Sequence, residues 1–413
     1  MFLKTRVRMT SVRSFGLSIK PYSVTREPNP AEVARPLLKS KVSRNFPATC
    51  ALLALASVLV TACGQGSSAG GNARGTLYIA NYEGYIGKDT VADFERRTGI
   101  RVRYGTYDTA NTLESWVWAG DLRYDVISTS TDFFSREIKA GAFRPLDRSK
   151  LSNWTNLDPV ALHAMASADP GNRYAVPYLH SINGFAYNID MVRARMPNAP
   201  VDSLDMLFKP EIVKRFADCG VTFLDSPSDV LPLALNYLHF DANTTSAQAY
   251  KAAEQLLLAV RPYIRAFDSL EYMTDLANEE TCIAMGYSSD AAATRALLRA
   301  TGSQVRIAFT VPTEGACISY DAFLIPAAAP DPDAAYEFIN YVLEPKVIAA
   351  ITNEIHYGNN NRAAGPFVEG SIRQDSSIYP TAEIRARLYQ QAEAGPEVER
   401  IRTRAWTTVK TGT

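Results

Sequence analysis

Histidine and cysteine are scarce in this chain of 413 residues, which holds four of the first and five of the second. His163, His180, His239 and His356 are scattered, and no two Cys or His fall at ligand spacing, so a zinc site is not expected. Nucleophile-elbow, metal-helix and phosphate-loop patterns are missing too, and no histidine has a partner at a recognisable catalytic spacing. Paired acids alone are weak grounds for acid–base catalysis. The expectation is a protein with no cofactor, no metal and no enzymatic activity. Internal repeats are absent. The apolar run Pro47–Ala62 has 16 residues, short of the roughly 20 that cross a bilayer as a helix, and no later stretch approaches that length.

An excess of either charge is also lacking overall, because 43 basic and 43 acidic residues cancel. The balance is uneven along the chain. Residues 1–62 hold ten Lys/Arg and two Asp/Glu, which leaves 33 basic and 41 acidic residues after them, a net charge of −8. An acidic body argues against nucleic acid as a partner and is compatible with cationic ones.

What is present begins with the apolar run itself. It follows Lys39, Lys41 and Arg44 and ends Val60-Thr61-Ala62-Cys63. Small residues before a cysteine, behind a short greasy stretch, resemble the lipobox of a bacterial lipoprotein signal, whose cysteine is lipidated after cleavage. Residues 1–62 are therefore expected to be a signal or leader region, with Met9 or a later initiator as the true start. Residues 63–75, rich in Gly and Ser, read as a flexible tether. This places the body in the periplasm, anchored through Cys63. Cys50 would leave with the leader; Cys219, Cys282 and Cys317 remain, and three thiols in an oxidising compartment imply one disulfide and one leftover.

The body reads as α/β. Leu77–Ala80 is a short buried strand, a helix capped by Asp89 or Thr90 stops at Gly99, and Ile100–Tyr104 is the next strand, a βαβ unit. Tyr124–Ser128, Val221–Leu224 and Thr281–Tyr287 read as further strands. Thr245-x-x-Gln248 reads as a capping box for a helix ended by Pro262, and Asp268-x-x-Glu271 starts another. Ser288–Ala300 reads as a helix stopped by Gly302, and Asp333 as the cap of a helix terminated by Pro345. The length after the leader suits two lobes, since single cores stop growing near ~250–300 residues.

Asn81-Tyr82-Glu83-Gly84-Tyr85, Thr98-Gly99-Ile100, Pro145-Leu146-Asp147, Asn156-Leu157-Asp158-Pro159, Val176-Pro177-Tyr178, Cys219-Gly220-Val221, Asp275-Leu276-Ala277-Asn278 and Arg402-Thr403-Arg404-Ala405-Trp406 occur in that order. Together these blocks resemble the polyamine-binding proteins of bacterial ABC importers, nearest the putrescine-binding branch. The resemblance implies a two-lobe α/β clamshell of type II, with discontinuous lobes and a central ligand cleft. It puts one lobe at 76–179 plus 317–345 and the other at 183–312 plus 350–413. It also implies a polyamine ligand, an ABC permease as partner, a monomer, and a Cys219–Cys282 disulfide that leaves Cys317 free.

A linear diamine is two ammonium heads on an apolar stem, so it needs carboxylates at its ends and aromatic walls along its length. On the positions that match the family, Tyr82, Glu83 and Tyr85 fall on a first binding loop and Ser130 on a second. Asp229 lies after a strand, as do Tyr287 and Asp290; Ser319 and Asp321 sit on a crossing segment, and Tyr357 near the last loop. Asp290 and Asp229 lie where a helix cap would also be at home. Asp321, within a strand-like run, has no capping role. Tyr82 and Tyr287 stand where the putrescine branch has tryptophan, and Ser319 where it has an aromatic. Glu83 stands for a small hydroxyl residue, Gly84 for an acid, and Asp132 for a small or aromatic side chain. The implied cleft is roomier and more negative, which keeps an organic polycation as the ligand class and leaves putrescine, spermidine, cadaverine and agmatine as candidates. A sensor subunit reporting polyamine to a membrane signalling protein would need the same clamshell, and a tethered hydrolase is the remaining alternative.

Overall fold

The structure, a computed structural model, describes residues 74–107, 110–120 and 122–412. The expected leader, most of the tether and Cys63 lie outside the described residues. Eleven strands form one mixed sheet: β1 (Arg74–Tyr82), β2 (Ile100–Tyr107), β3 (Val126–Ser130), β4 (Ala175–Asn188), β5 (Val221–Phe223), β6 (Ala266–Phe267), β7 (Ile283–Tyr287), β8 (Ile307–Thr310), β9 (Ala316–Leu324), β10 (Gly358–Asn359) and β11 (Leu388–Tyr389). The main path runs β2-β1-β3-β9-β4-β7-β5-β6. β2, β1 and β3 are parallel, as are β7, β5 and β6, and the antiparallel β9 and β4 join the two groups.

β4 is the seam. Its first part, Ala175–Ile182, pairs with β9, and its second part, from Asn183, pairs with β7 and β8. Nearly every residue of it is buried, as expected of a strand covered on both faces. Two α/β lobes therefore share two neighbouring strands, and the chain passes between them again after Tyr379, where β11 pairs with β9.

Local signals explain the elements around the seam. The helix Thr90–Thr98 ends at Gly99, whose φ of 74° is open to glycine at little cost. Two caps differ from the expected residue. The helix Ala247–Val260 is capped by Ser246, whose hydroxyl accepts from the Ala249 N–H, and not by Thr245. The helix Pro332–Val342 is capped by Asp331, because Pro332 at the first helical position fixes the start there and leaves Asp333 inside the first turn. Pro345 likewise opens the helix Pro345–Ile355.

One apolar cluster joins Leu77, Ile79, Phe94 and Phe323 to Ile351, Ala364, Val368, Ile372 and Ile378. Residues 350–378, grouped with the second lobe by resemblance, thus pack their apolar side chains into the core of the first. The last helix, Pro396–Thr411, packs Trp406 against Phe267 with ring centroids 5.0 Å apart, which places it on the second lobe. Cys219 and Cys282 are bonded as a disulfide with Cα atoms 5.6 Å apart, and Cys317 is free and buried. No helix of the described residues is long and apolar enough to cross a membrane.

Candidate functional site

Both groups of parallel strands point their carboxyl ends at the seam, and helices begin there. Asp132, Asp229 and Asp290 occupy the first turns of the helices Thr131–Lys139, Pro227–Tyr237 and Ser288–Ala300. Helix N-termini carry partial positive charge, which favours carboxylates at these positions. The fourth acid, Asp321, sits on β9 directly opposite Ser130 of β3.

Tyrosines wall the space between the acids. Ring centroids of Tyr107 and Tyr82 lie 4.7 Å apart, those of Tyr82 and Tyr85 5.0 Å, and those of Tyr85 and Tyr357 4.5 Å. Tyr85 is held by its own carbonyl, which accepts from the Tyr178 hydroxyl at 2.6 Å. Its phenol then donates to Asp321 at 3.2 Å. Tyr357 donates to Asp290 at 2.7 Å, and Tyr272 donates to the other oxygen of the same carboxylate. Asp229 accepts from Asn183 at 2.6 Å, from Tyr287 at 2.9 Å and from the Ser226 hydroxyl. Ser130 donates to Asp132 at 2.6 Å.

All of these donors are neutral. Among the described residues, no ion pair includes any of the four acids. Arg402 adds some positive field at Asp132 but is engaged by Glu399 and Tyr250. Burial raises the Asp321 carboxyl to about 7; the Tyr85 hydrogen bond opposes that rise and the negative Asp132 adds to it. Burial also raises Asp132 and Asp290, opposed by the Ser130 bond in one and by the two tyrosine bonds in the other. Removing a carboxylate such as Asp321 from water without a counter-charge is costly, so the arrangement suits a cation supplied from outside. No group of three or more His, Cys, Asp or Glu among the described residues is arranged to hold a metal ion. Acids dispersed along a row of aromatic rings match an extended cation better than a point charge.

Of the residues singled out in the sequence, Tyr82, Tyr85, Ser130, Asp229, Tyr287, Asp290, Asp321 and Tyr357 meet here. Ser319 lies two residues from Asp321 on β9, half-buried, with its hydroxyl 3.9 Å from the Cys317 sulfur. Glu83 is not brought in: its side chain is exposed, and its backbone N–H donates to the Tyr107 carbonyl. Asp290 is no cap, since both its oxygens are taken by tyrosines. Asp229 caps no backbone N–H either: it sits in the first turn of its helix and accepts from the hydroxyl of the N-cap residue Ser226. Tyr107, Tyr272 and Asn183 were not anticipated. One trace of Tyr272 exists in the sequence: Gly286 interrupts β7, and a Cβ there would lie 2.1 Å from the Tyr272 ring. A glycine inside a strand often marks such a close approach.

A two-lobed mixed sheet with its cleft at the strand ends is the architecture of solute-binding proteins, and residues 89–372 match the family described as bacterial extracellular solute-binding proteins; the chain belongs to that family. Within it, the chain is 44% identical over 339 residues to the putrescine-binding periplasmic protein PotF of Escherichia coli, covering 82% of this chain and 92% of that one. It is 40% identical to the putrescine-binding periplasmic protein SpuD of Pseudomonas aeruginosa, covering 81% and 92%. The solved spermidine/putrescine ABC transporter substrate-binding protein PotD of Streptococcus pneumoniae shares the fold, with a TM-score of 0.71 at 24% identity over 82% of this chain and 99% of that one.

Proposed function

We propose that the protein captures a linear polyamine outside the cytoplasm and hands it to the permease of an ABC importer. The observation that carries this reading is the set of four carboxylates, Asp321 buried and Asp132, Asp229 and Asp290 half-buried, facing a row of tyrosines with no cationic side chain among their hydrogen-bond partners. Relatives named for putrescine binding at 40–44% identity support the same ligand class. In this reading Asp321 and Asp290 accept ammonium groups and Asp229 serves the far end. Tyr82, Tyr85, Tyr287 and Tyr357 line the stem, with Ser130 and Ser319 as polar contacts. Putrescine, spermidine, cadaverine and agmatine are the candidates.

The lobes, taken as 76–179 plus 317–378 and 183–312 plus 388–412, close over the ligand about β4 and β9. Anchoring through a lipid on Cys63 and action as a monomer complete the proposal; binding, not turnover, is the expected activity. The test is a thermal-shift panel of diamines, polyamines, basic amino acids and guanidines on protein refolded free of ligand. Saturable stabilisation by one or more polyamines, with no product formed, is the expected result. Indifference to every polyamine would refute it.

A further inference from the structure

A second concavity lies on the reverse side of the seam. Side chains alternate along β9, so while Asp321 meets Tyr85, its neighbour Tyr320 lines a separate cavity of about 230 Å³ together with His180 of β4. The floor is buried and polar: His180 is 7% and Asn360 3% exposed, and the imidazole is clamped between the Asn360 side-chain oxygen at 2.8 Å and the Ile378 carbonyl at 2.9 Å. The ring can lie there only because residue 358 is glycine, where a Cβ would come within 2.3 Å of it.

Three arginines rim this cavity, Arg362, Arg373 and Arg385. Several arginines of the protein pair with acids, among them Arg97 with Glu344, Arg195 with Asp218, Arg295 with Asp375 and Arg306 with Asp190. The three at the rim pair with none among the described residues. Their hydrogen bonds to backbone go to the carbonyls of Thr155, Gly365 and Pro380. Asp158, the one acid on the lining, accepts the Val160 N–H as a helix cap through one oxygen and sets one negative charge against the three arginines. In a body whose net charge is −8, three exposed guanidiniums without an ion pair around one polar hollow outnumber its single carboxylate, and that local excess of positive charge suits an anion.

We propose that this cavity is a second binding site, specific for a small polyvalent oxyanion, at the back of the hinge. Guanidinium forks match carboxylate and phosphate oxygens in pairs, and the volume falls below the ~300 Å³ typical of larger organic ligands, so the occupant is of the size of phosphate or a short di- or tricarboxylate. Arg362 and Arg373 belong to the segment packed on the first lobe, and Arg385 to the connection that leads into the second. An anion held by all three ties that connection to the first lobe.

The test is calorimetric titration of the purified full-length chain with inorganic phosphate and, separately, with citrate, against sodium chloride at matched ionic strength. Saturable binding of one equivalent of phosphate or citrate is expected, with chloride silent. The Arg373→Gln/Arg385→Gln double variant should weaken it at least about tenfold, as loss of charge-assisted hydrogen bonds does. Asp321→Asn should leave anion binding intact, which separates this site from the cleft. Phosphate alone or citrate alone binding would identify the headgroup chemistry. Absence of saturation with both anions, or equal binding by the double variant, would overturn the proposal.

Discussion

The two sides of the cleft treat their acids differently. On the second lobe, Asp229 is held by three neutral donors and Asp290 by two. On the other side, Asp321 has the single phenol of Tyr85 and Asp132 the single hydroxyl of Ser130. The difference is one of preorganisation: the second lobe presents carboxylates already fixed and solvated by protein, whereas the first lobe and the crossing strand leave theirs short of partners. Ligand should therefore gain orientation from one side and supply missing charge to the other. The disulfide falls on the same side as the fixed acids, linking the approach to β5 with the start of β7 across 63 residues of sequence.

The largest way to disturb this contrast is to remove that bridge. By the loop-entropy account, a cross-link of this span contributes about 4 kcal/mol. The Cys219→Ala/Cys282→Ala variant should lose about that much in urea unfolding, with the second lobe opening first in hydrogen exchange. Equal loss of protection in both lobes would erase the distinction between a braced and an unbraced half.

Next comes Asp321→Asn, which keeps the shape and the Tyr85 contact but deletes the charge. Losing one partner of a buried charged pair costs ~3–5 kcal/mol, so polyamine affinity should fall at least about a hundredfold in calorimetry while the fold survives. Asp229→Asn, in the satisfied set, should cost less for a short diamine than for a longer polyamine. If the two substitutions cost the same for every ligand, the asymmetry of the acids has no bearing on binding.

The smallest effect is in pH. Because Asp321 is raised to about 7 in the ligand-free fold, its carboxylate is depleted below that pH, and affinity should rise about tenfold from pH 6 to pH 8. Stability moves the opposite way. The folded state keeps a proton that the unfolded chain has already released. The contribution is therefore complete below the ordinary carboxylate range and is lost as pH climbs toward about 7. The stabilisation conferred by ligand should accordingly grow with pH, and a flat thermal-shift profile between pH 6 and pH 8 would contradict it.

The legibility of the sequence follows the same physics. Asp321 stood out because an acid inside an apolar strand lacks a structural excuse. Strands and helices were readable wherever a glycine or proline marks an end, as at Gly99 and Pro345. The caps slipped by one or two positions where several capping residues adjoin, as in Thr244-Thr245-Ser246 and Asp331-Pro332-Asp333. Tyr272 and Asn183 escaped because they reach Asp290 and Asp229 across 18 and 46 residues of chain, and no local pattern encodes such contacts. The apolar cluster that residues 350–378 join was not legible for the same reason. An amphipathic segment announces that it has a buried face, not which core will bury it.

Cys317 can serve as a built-in reporter. Its thiol is 1% exposed on β9, beside Ser319, and burial with the negative Asp229 and Asp132 nearby pushes it up to about 12. A thiol so placed reacts slowly while it stays covered, and if the lobes open and close as proposed, the opening is expected to expose it. The rate at which a neutral maleimide modifies the native protein is thus a clock for opening, read without any engineered label, and a bound ligand should slow it.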